Sequence, residues 1–126
     1  MVSFRVAIVG AGRMGQEYAL AYKAFPETEV VGFVDPNEER TKAVCALHPG
    51  SSWYPTVESM CAAERPDIVS VVTPAKFMKA AVIAASKSPG IKAVQVDKPF
   101  GGPLADADAM VDACAQAGVI FAGLSL

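Results

Sequence analysis

The sequence predicts an α/β protein: one domain over residues 1–126, built on an open, doubly wound parallel sheet of about six strands with helices on both faces. Three observations carry that prediction. Apolar residues switch back and forth between a strand-like and a helix-like period along the whole chain. The strand-like runs are nearly all apolar, as strands covered on both faces must be. The connections between them are short, which with right-handed crossovers leaves a parallel sheet as the simplest topology.

The elements follow in order. "RVAIVG" (Arg5–Gly10) is a β-branched run closed by glycine, hence a buried strand. Met14, Tyr18, Ala21, Tyr22 and Phe25 have the spacing of one helix face, and Pro26 stops that helix. "EVVGFVD" is a second strand, and "PNEERTKAVCALH" a helix with acids in its first turn, where the helix dipole favours them. "SSWYP" is a short third strand, and "TVESMCAAE" a helix with Thr56 as N-cap. "DIVSVVTP" is strand four, "AKFMKAAVIAASK" a helix ended by Pro89-Gly90, and "KAVQVD" strand five. "LADADAMVDACAQAG" is a helix with Leu104, Ala107, Met110, Val111, Cys114 and Ala117 on one side and Gly118 at its end; "VIFAGL" is the last strand.

Composition narrows the function classes. Apolar residues make up 52% of the chain and charged ones 19%, so a packed core is expected and disorder is not. The net charge is −2 with scattered basic residues, which argues against nucleic acid or an anionic membrane as partner. The three cysteines, Cys45, Cys61 and Cys114, are far apart and read as reduced thiols of a cytoplasmic protein. Cys45-x-x-His48 resembles half a metal site, but the only histidine cannot complete one, and no metal is expected. The longest apolar stretch is bracketed by lysines and too short to span a bilayer, and Arg5 and the glycines spoil the layout of a signal peptide.

In an open parallel sheet, ligands bind beyond the carboxyl ends of the strands, where the strand order reverses. Four strand ends are therefore candidates. The first is "GAGRMG", in which Gly10, Gly12 and Gly15 form G-x-G-x-x-G between a strand and a helix. Gly10 permits the turn, Gly12 opens the backbone to a pyrophosphate, and Gly15 lets the helix pack closely. The N–H groups around Arg13 and Met14 then face the phosphates at a helix N-terminus. This context makes the fold Rossmann-type.

Asp35 ends strand two, twenty positions after Gly15. A carboxylate there accepts hydrogen bonds from the adenosine ribose hydroxyls and repels a 2′-phosphate. It also suits an N-cap, with Pro36 at N1 and Glu38 closing a capping box; the two roles share one loop. No arginine directly follows Asp35, so NAD is favoured over NADP. Thr73-Pro74 ends strand four and shapes a loop under the cofactor or a plain turn. At the end of strand five, "VDKPF" presents Lys98, stiffened by Pro99, to the same crevice. An ammonium there can hold a substrate oxygen beside the nicotinamide; a solvated surface lysine is the competing reading.

Taken together, "GAGRMG", Asp35, "DIVSVVTP" and "VDKPF" resemble the N-terminal half of the glucose–fructose oxidoreductase/inositol dehydrogenase/MocA-type family, from Arg5 to about Gly123. The resemblance implies an NAD(P)-binding domain of an oxidoreductase acting on sugars, inositols or related polyols. It also assigns Lys98 to the nicotinamide and substrate side of the site. Asp97 stands where the family usually has glutamate, and Met78 and Tyr18 stand where it often has histidines. Family members continue into a second α/β domain that supplies substrate pocket, proton acceptor and oligomer interface, and no counterpart of it is expected within these 126 residues. The chain alone is therefore expected to be inactive, with an exposed apolar face that favours self-association. A stand-alone NAD-sensing module is the alternative, and a methyltransferase a weaker one, since the glycine spacing fits a pyrophosphate better.

Overall fold

In the computed structural model, residues 3–97 and 104–124 are described. Eleven elements alternate along the chain. They are β1 (Phe4–Val9), α1 (Arg13–Lys23), β2 (Thr28–Val34), α2 (Glu38–Ala46), β3 (Ser52–Tyr54), α3 (Val57–Glu64), β4 (Ile68–Val71), α4 (Ala75–Ser86), β5 (Ala93–Asp97), α5 (Leu104–Ala117) and β6 (Ile120–Leu124). All strand pairs are parallel, in the order β3-β2-β1-β4-β5-β6. The order reverses between β1 and β4, so the crevice above that pair is where such a sheet binds ligands.

Strand alternation sorts the core into two layers. Ala7, Val9, Val69, Val71, Val94 and Val96 point one way, into a cluster with Met60 of α3, Met78 and Val82 of α4, and Met110 and Cys114 of α5. Val6, Ile8, Val30 and Phe33 point the other way, under Tyr18 and Ala19 of α1 and Val44 of α2. In register with Ile8, the second face carries a polar pair, Ser70 and Gln95. The Tyr22 hydroxyl lies 2.8 Å from Ser70 Oγ, and Ser70 Oγ donates to Gln95 Oε1 at 2.6 Å. Burying such groups is tolerable only because they satisfy one another.

The helix ends sharpen the sequence reading. Thr56 caps α3, its hydroxyl accepting from Ser59 N at 3.1 Å, as expected. α2 is capped by Asn37, whose side chain accepts from Arg40 N at 3.0 Å; Asp35 is not the N-cap, because its carboxylate is turned elsewhere. α1 stops at Lys23, before Pro26, so Phe25 lies past the helix end and is largely exposed. Likewise Val111 of α5 is about half exposed, while Met110 and Cys114 are buried. Gly118 ends α5 with φ near +70°. Among the described residues no helix is long and apolar enough to cross a membrane, and no group of three His, Cys, Asp or Glu could hold a metal. His48 is buried at the opposite end of the sheet from the crevice, beside Lys23 and Thr28, its ring 5.6 Å from that of Phe33.

Candidate functional site

The β1–α1 turn holds three glycines, two of them constrained by the backbone around them and one open. Gly10 has φ +108°, and a Cβ there would lie 2.7 Å from the Val72 carbonyl oxygen. A Cβ on Gly15 would meet the Gly10 oxygen at 1.9 Å, so α1 approaches β1 as closely as it does only because Gly15 has no side chain. At Gly12 a Cβ would meet nothing within 4 Å. Gly12 is also the N-cap of α1 and brings no side chain to cap it, which leaves the first-turn N–H groups of Arg13 and Met14 for an anion. The side chains of those two residues serve otherwise. Arg13 lies 90% exposed, 3.6 Å from Glu17, and Met14 packs against the core under α1.

Asp35 is almost fully buried where β2 ends. Its Oδ2 accepts from Ala11 N at 2.9 Å, inside the glycine turn, and from Arg40 Nη2 at 3.0 Å. Its Oδ1 accepts from Asn37 N at 2.9 Å. Burial alone would raise the carboxyl's pKa; the amides of Ala11 and Asn37 and the Arg40 guanidinium outweigh it and hold Asp35 below its ordinary value. Asp35 is therefore a fixed anion at neutral pH, tied to the same turn that faces the helix N-terminus.

Thr73 and Pro74 form the opposite wall after β4, with Pro74 as N-cap of α4. Thr73 Oγ1 is buried without a hydrogen-bond partner among the described residues, an uncommon state for a hydroxyl and one that a ligand would relieve. These walls enclose a cleft of about 740 Å³. Gly10, Gly12, Asp35, Thr73 and Pro74 all line it, together with Arg40 and an apolar stretch that includes Pro55, Val57, Phe77 and Ala81. Of the residues expected from sequence, Gly15 shapes the turn from behind, and Lys98 lies outside the described residues. Asp97, its neighbour, ends β5, and its Oδ1 accepts a hydrogen bond from the Tyr18 hydroxyl at 2.8 Å.

Sequence reasoning missed Arg40 and Phe77. Arg40 sits one helical turn beyond the strand end, so a search for an arginine directly after Asp35 passes over it. Phe77 lies at the third position of α4, where its exposure could not be read from periodicity. The set suits a dinucleotide: an uncapped helix N-terminus for pyrophosphate, a buried carboxylate for ribose hydroxyls, and an apolar far wall for a flat base.

Comparison with known proteins agrees. The sequence profile of an oxidoreductase family with an NAD-binding Rossmann fold matches residues 4–123. D-apiose dehydrogenase of Paraburkholderia graminis is 33% identical over 116 residues, which cover 92% of this chain and 30% of that enzyme. The WlbA dehydrogenase of Bordetella pertussis, solved with NADH and UDP-GlcNAcA, superposes with a TM-score of 0.85 at 27% identity, over 94% of this chain and 35% of that one. UDP-N-acetylglucosamine 3-dehydrogenase of Acidithiobacillus ferrooxidans gives 0.84 at 28% identity, over 98% and 37%. The chain thus spans about a third of the relatives it matches. It belongs to the glucose–fructose oxidoreductase/inositol dehydrogenase/MocA-type family and is an NAD-binding Rossmann domain of that oxidoreductase family.

Proposed function

We propose that this domain, taken as residues 1–126, holds NAD for an oxidoreductase that passes hydride between the nicotinamide and a sugar, inositol or related polyol. The observation that carries the reading is the convergence of Asp35, the uncapped first turn of α1 and the unpartnered Thr73 hydroxyl on one cleft. The pyrophosphate lies against Gly12 and the N–H groups of Arg13 and Met14; Asp35 takes the ribose; Thr73 and Pro74 support the cofactor from below. The substrate class rests on the relatives, one a dehydrogenase of D-apiose and one solved with a nucleotide sugar. Lys98, following β5, orients and polarises the substrate oxygen, and groups outside the matched segment bind the substrate and move its proton. Self-association belongs to the same proposal, since Ile120 on the outermost strand is 68% exposed.

Calorimetric titration of the 126-residue chain tests the cofactor reading. NADH is expected to bind more tightly than NADPH, because Asp35 is a fixed anion where the 2′-phosphate would sit. Absence of binding by both would overturn the assignment of the cleft.

A further inference from the structure

Arg40 is the only cation among the described residues that line the cleft, and its position is set by Asp35 rather than by solvent. One of its five N–H groups is used: Nη2 donates to Asp35 Oδ2 at 3.0 Å, and among the described residues the rest of the guanidinium is unengaged, with the side chain about half exposed. The carboxylate does not depend on it. With the Ala11 and Asn37 amides donating to its two oxygens, Asp35 stays in place whichever way Arg40 turns. A ribose 2′-oxygen bonded to Asp35 therefore lies within one side chain of a planar fork that matches phosphate geometry. A bare carboxylate at this position would repel a 2′-phosphate without compensation.

We propose that Arg40 is a cofactor-selectivity residue that spans Asp35 and the 2′-phosphate of NADPH, so that the domain accepts NADPH as a weaker second cofactor instead of excluding it. The inference rests on reading the cleft as the NAD site and goes beyond it. NADH makes no use of the unengaged guanidinium nitrogens, since its ribose offers only hydroxyls, and these already have the carboxylate. NADPH uses them to offset the charge of Asp35. The selectivity of this chain is then a balance of two side chains five positions apart, one anionic and one cationic, on a single strand-to-helix connection.

The test is titration of the 126-residue chain and its Arg40→Met and Arg40→Lys variants with NADH and with NADPH. The wild-type chain should bind both, NADH more tightly. Arg40→Met should lower NADPH affinity tenfold or more while changing NADH affinity less than threefold, and Arg40→Lys should recover part of the NADPH loss. In wild type, NADPH affinity should also fall more steeply with added salt than NADH affinity, as expected for one further ion pair. Wild-type binding of NADH with no detectable NADPH binding would overturn the proposal and leave the NAD site standing. So would equal weakening of both cofactors in Arg40→Met, which would make Arg40 a brace for Asp35. Binding of neither cofactor by wild type would remove the NAD site and this inference together.

Discussion

Gly12 and Gly15 show how differently two members of one motif constrain the chain. Replacing Gly15 by alanine forces a Cβ to within 1.9 Å of the Gly10 oxygen, so α1 must leave β1. Overpacking of that kind costs about 1–3 kcal/mol or more, and the denaturation midpoint of Gly15→Ala should fall accordingly. Gly12→Ala puts its methyl group into open space and should cost about 1 kcal/mol or less, the loss of a tolerated N-cap. NADH affinity should nonetheless drop at least tenfold in the folded Gly12 variant, because the methyl group occupies the approach to the first turn. A Gly12→Ala chain that binds NADH normally would remove the pyrophosphate from this position. At this scale the glycine motif was legible because Gly10 and Gly15 answer backbone constraints that the spacing encodes, while Gly12 leaves the approach to the first turn open. Arg40 was not, because its importance comes from a hydrogen bond to Asp35 that only the folded loop creates.

Among the elements, α1 is tied to the sheet by polar contacts. Its inner face carries Tyr18, bonded to Asp97 at the end of β5, and Tyr22, bonded to Ser70 of β4. Burial first, then the hydrogen bond to Asp97, pushes the Tyr18 phenol up to about 12; burial and the hydrogen bond to Glu64 do the same for Tyr54. A phenol whose pKa is raised on folding contributes stability that is full below the unfolded value and is lost as pH rises through the folded one. The chain should therefore lose stability between about pH 10 and pH 12, and Tyr18→Phe should flatten that loss in denaturant titrations. An unchanged slope would show that the phenol does not carry it. Strand and helix identities were legible because each apolar run has one dominant period. The polar row Ser70–Gln95 was visible only as two polar residues inside apolar strands, and their pairing needed the register of β4 against β5. The overlong first helix had a similar cause: Phe25 keeps the spacing of the buried face, but the chain turns at Ala24.

For the whole molecule, the doubly wound sheet was legible from the alternation of elements, and its strand order places Gly10, Asp35 and Thr73 at neighbouring strand ends. That convergence is a property of topology, since the three are far apart in sequence. The match to a third of each relative sets the corresponding expectation for activity. The 126-residue chain should show no polyol-dependent reduction of NAD; turnover at an ordinary enzyme rate would refute the placing of substrate groups outside it. In a complete enzyme, Lys98→Met should cut the chemical rate far more than cofactor affinity, and an equal loss of both would make Lys98 a cofactor ligand instead. Substrate choice was not legible, because no residue of the described cleft beyond the nucleotide-binding set discriminates one polyol from another.

The position of β1 in the middle of the sheet has a consequence for biosynthesis. Its glycine turn precedes β4 in the chain, yet the wall against which Gly10 packs is the Val72 carbonyl, and the unpartnered hydroxyl facing the cleft belongs to Thr73. Until β4 emerges, β1 lacks one of its two neighbours and the nascent chain has half a crevice. Closing that gap spans some sixty residues, the kind of non-local pairing that slows folding. The cleft that suits NAD is thus complete only once β4 has paired with β1, so the cofactor meets its full site after that long-range pairing and does not nucleate it.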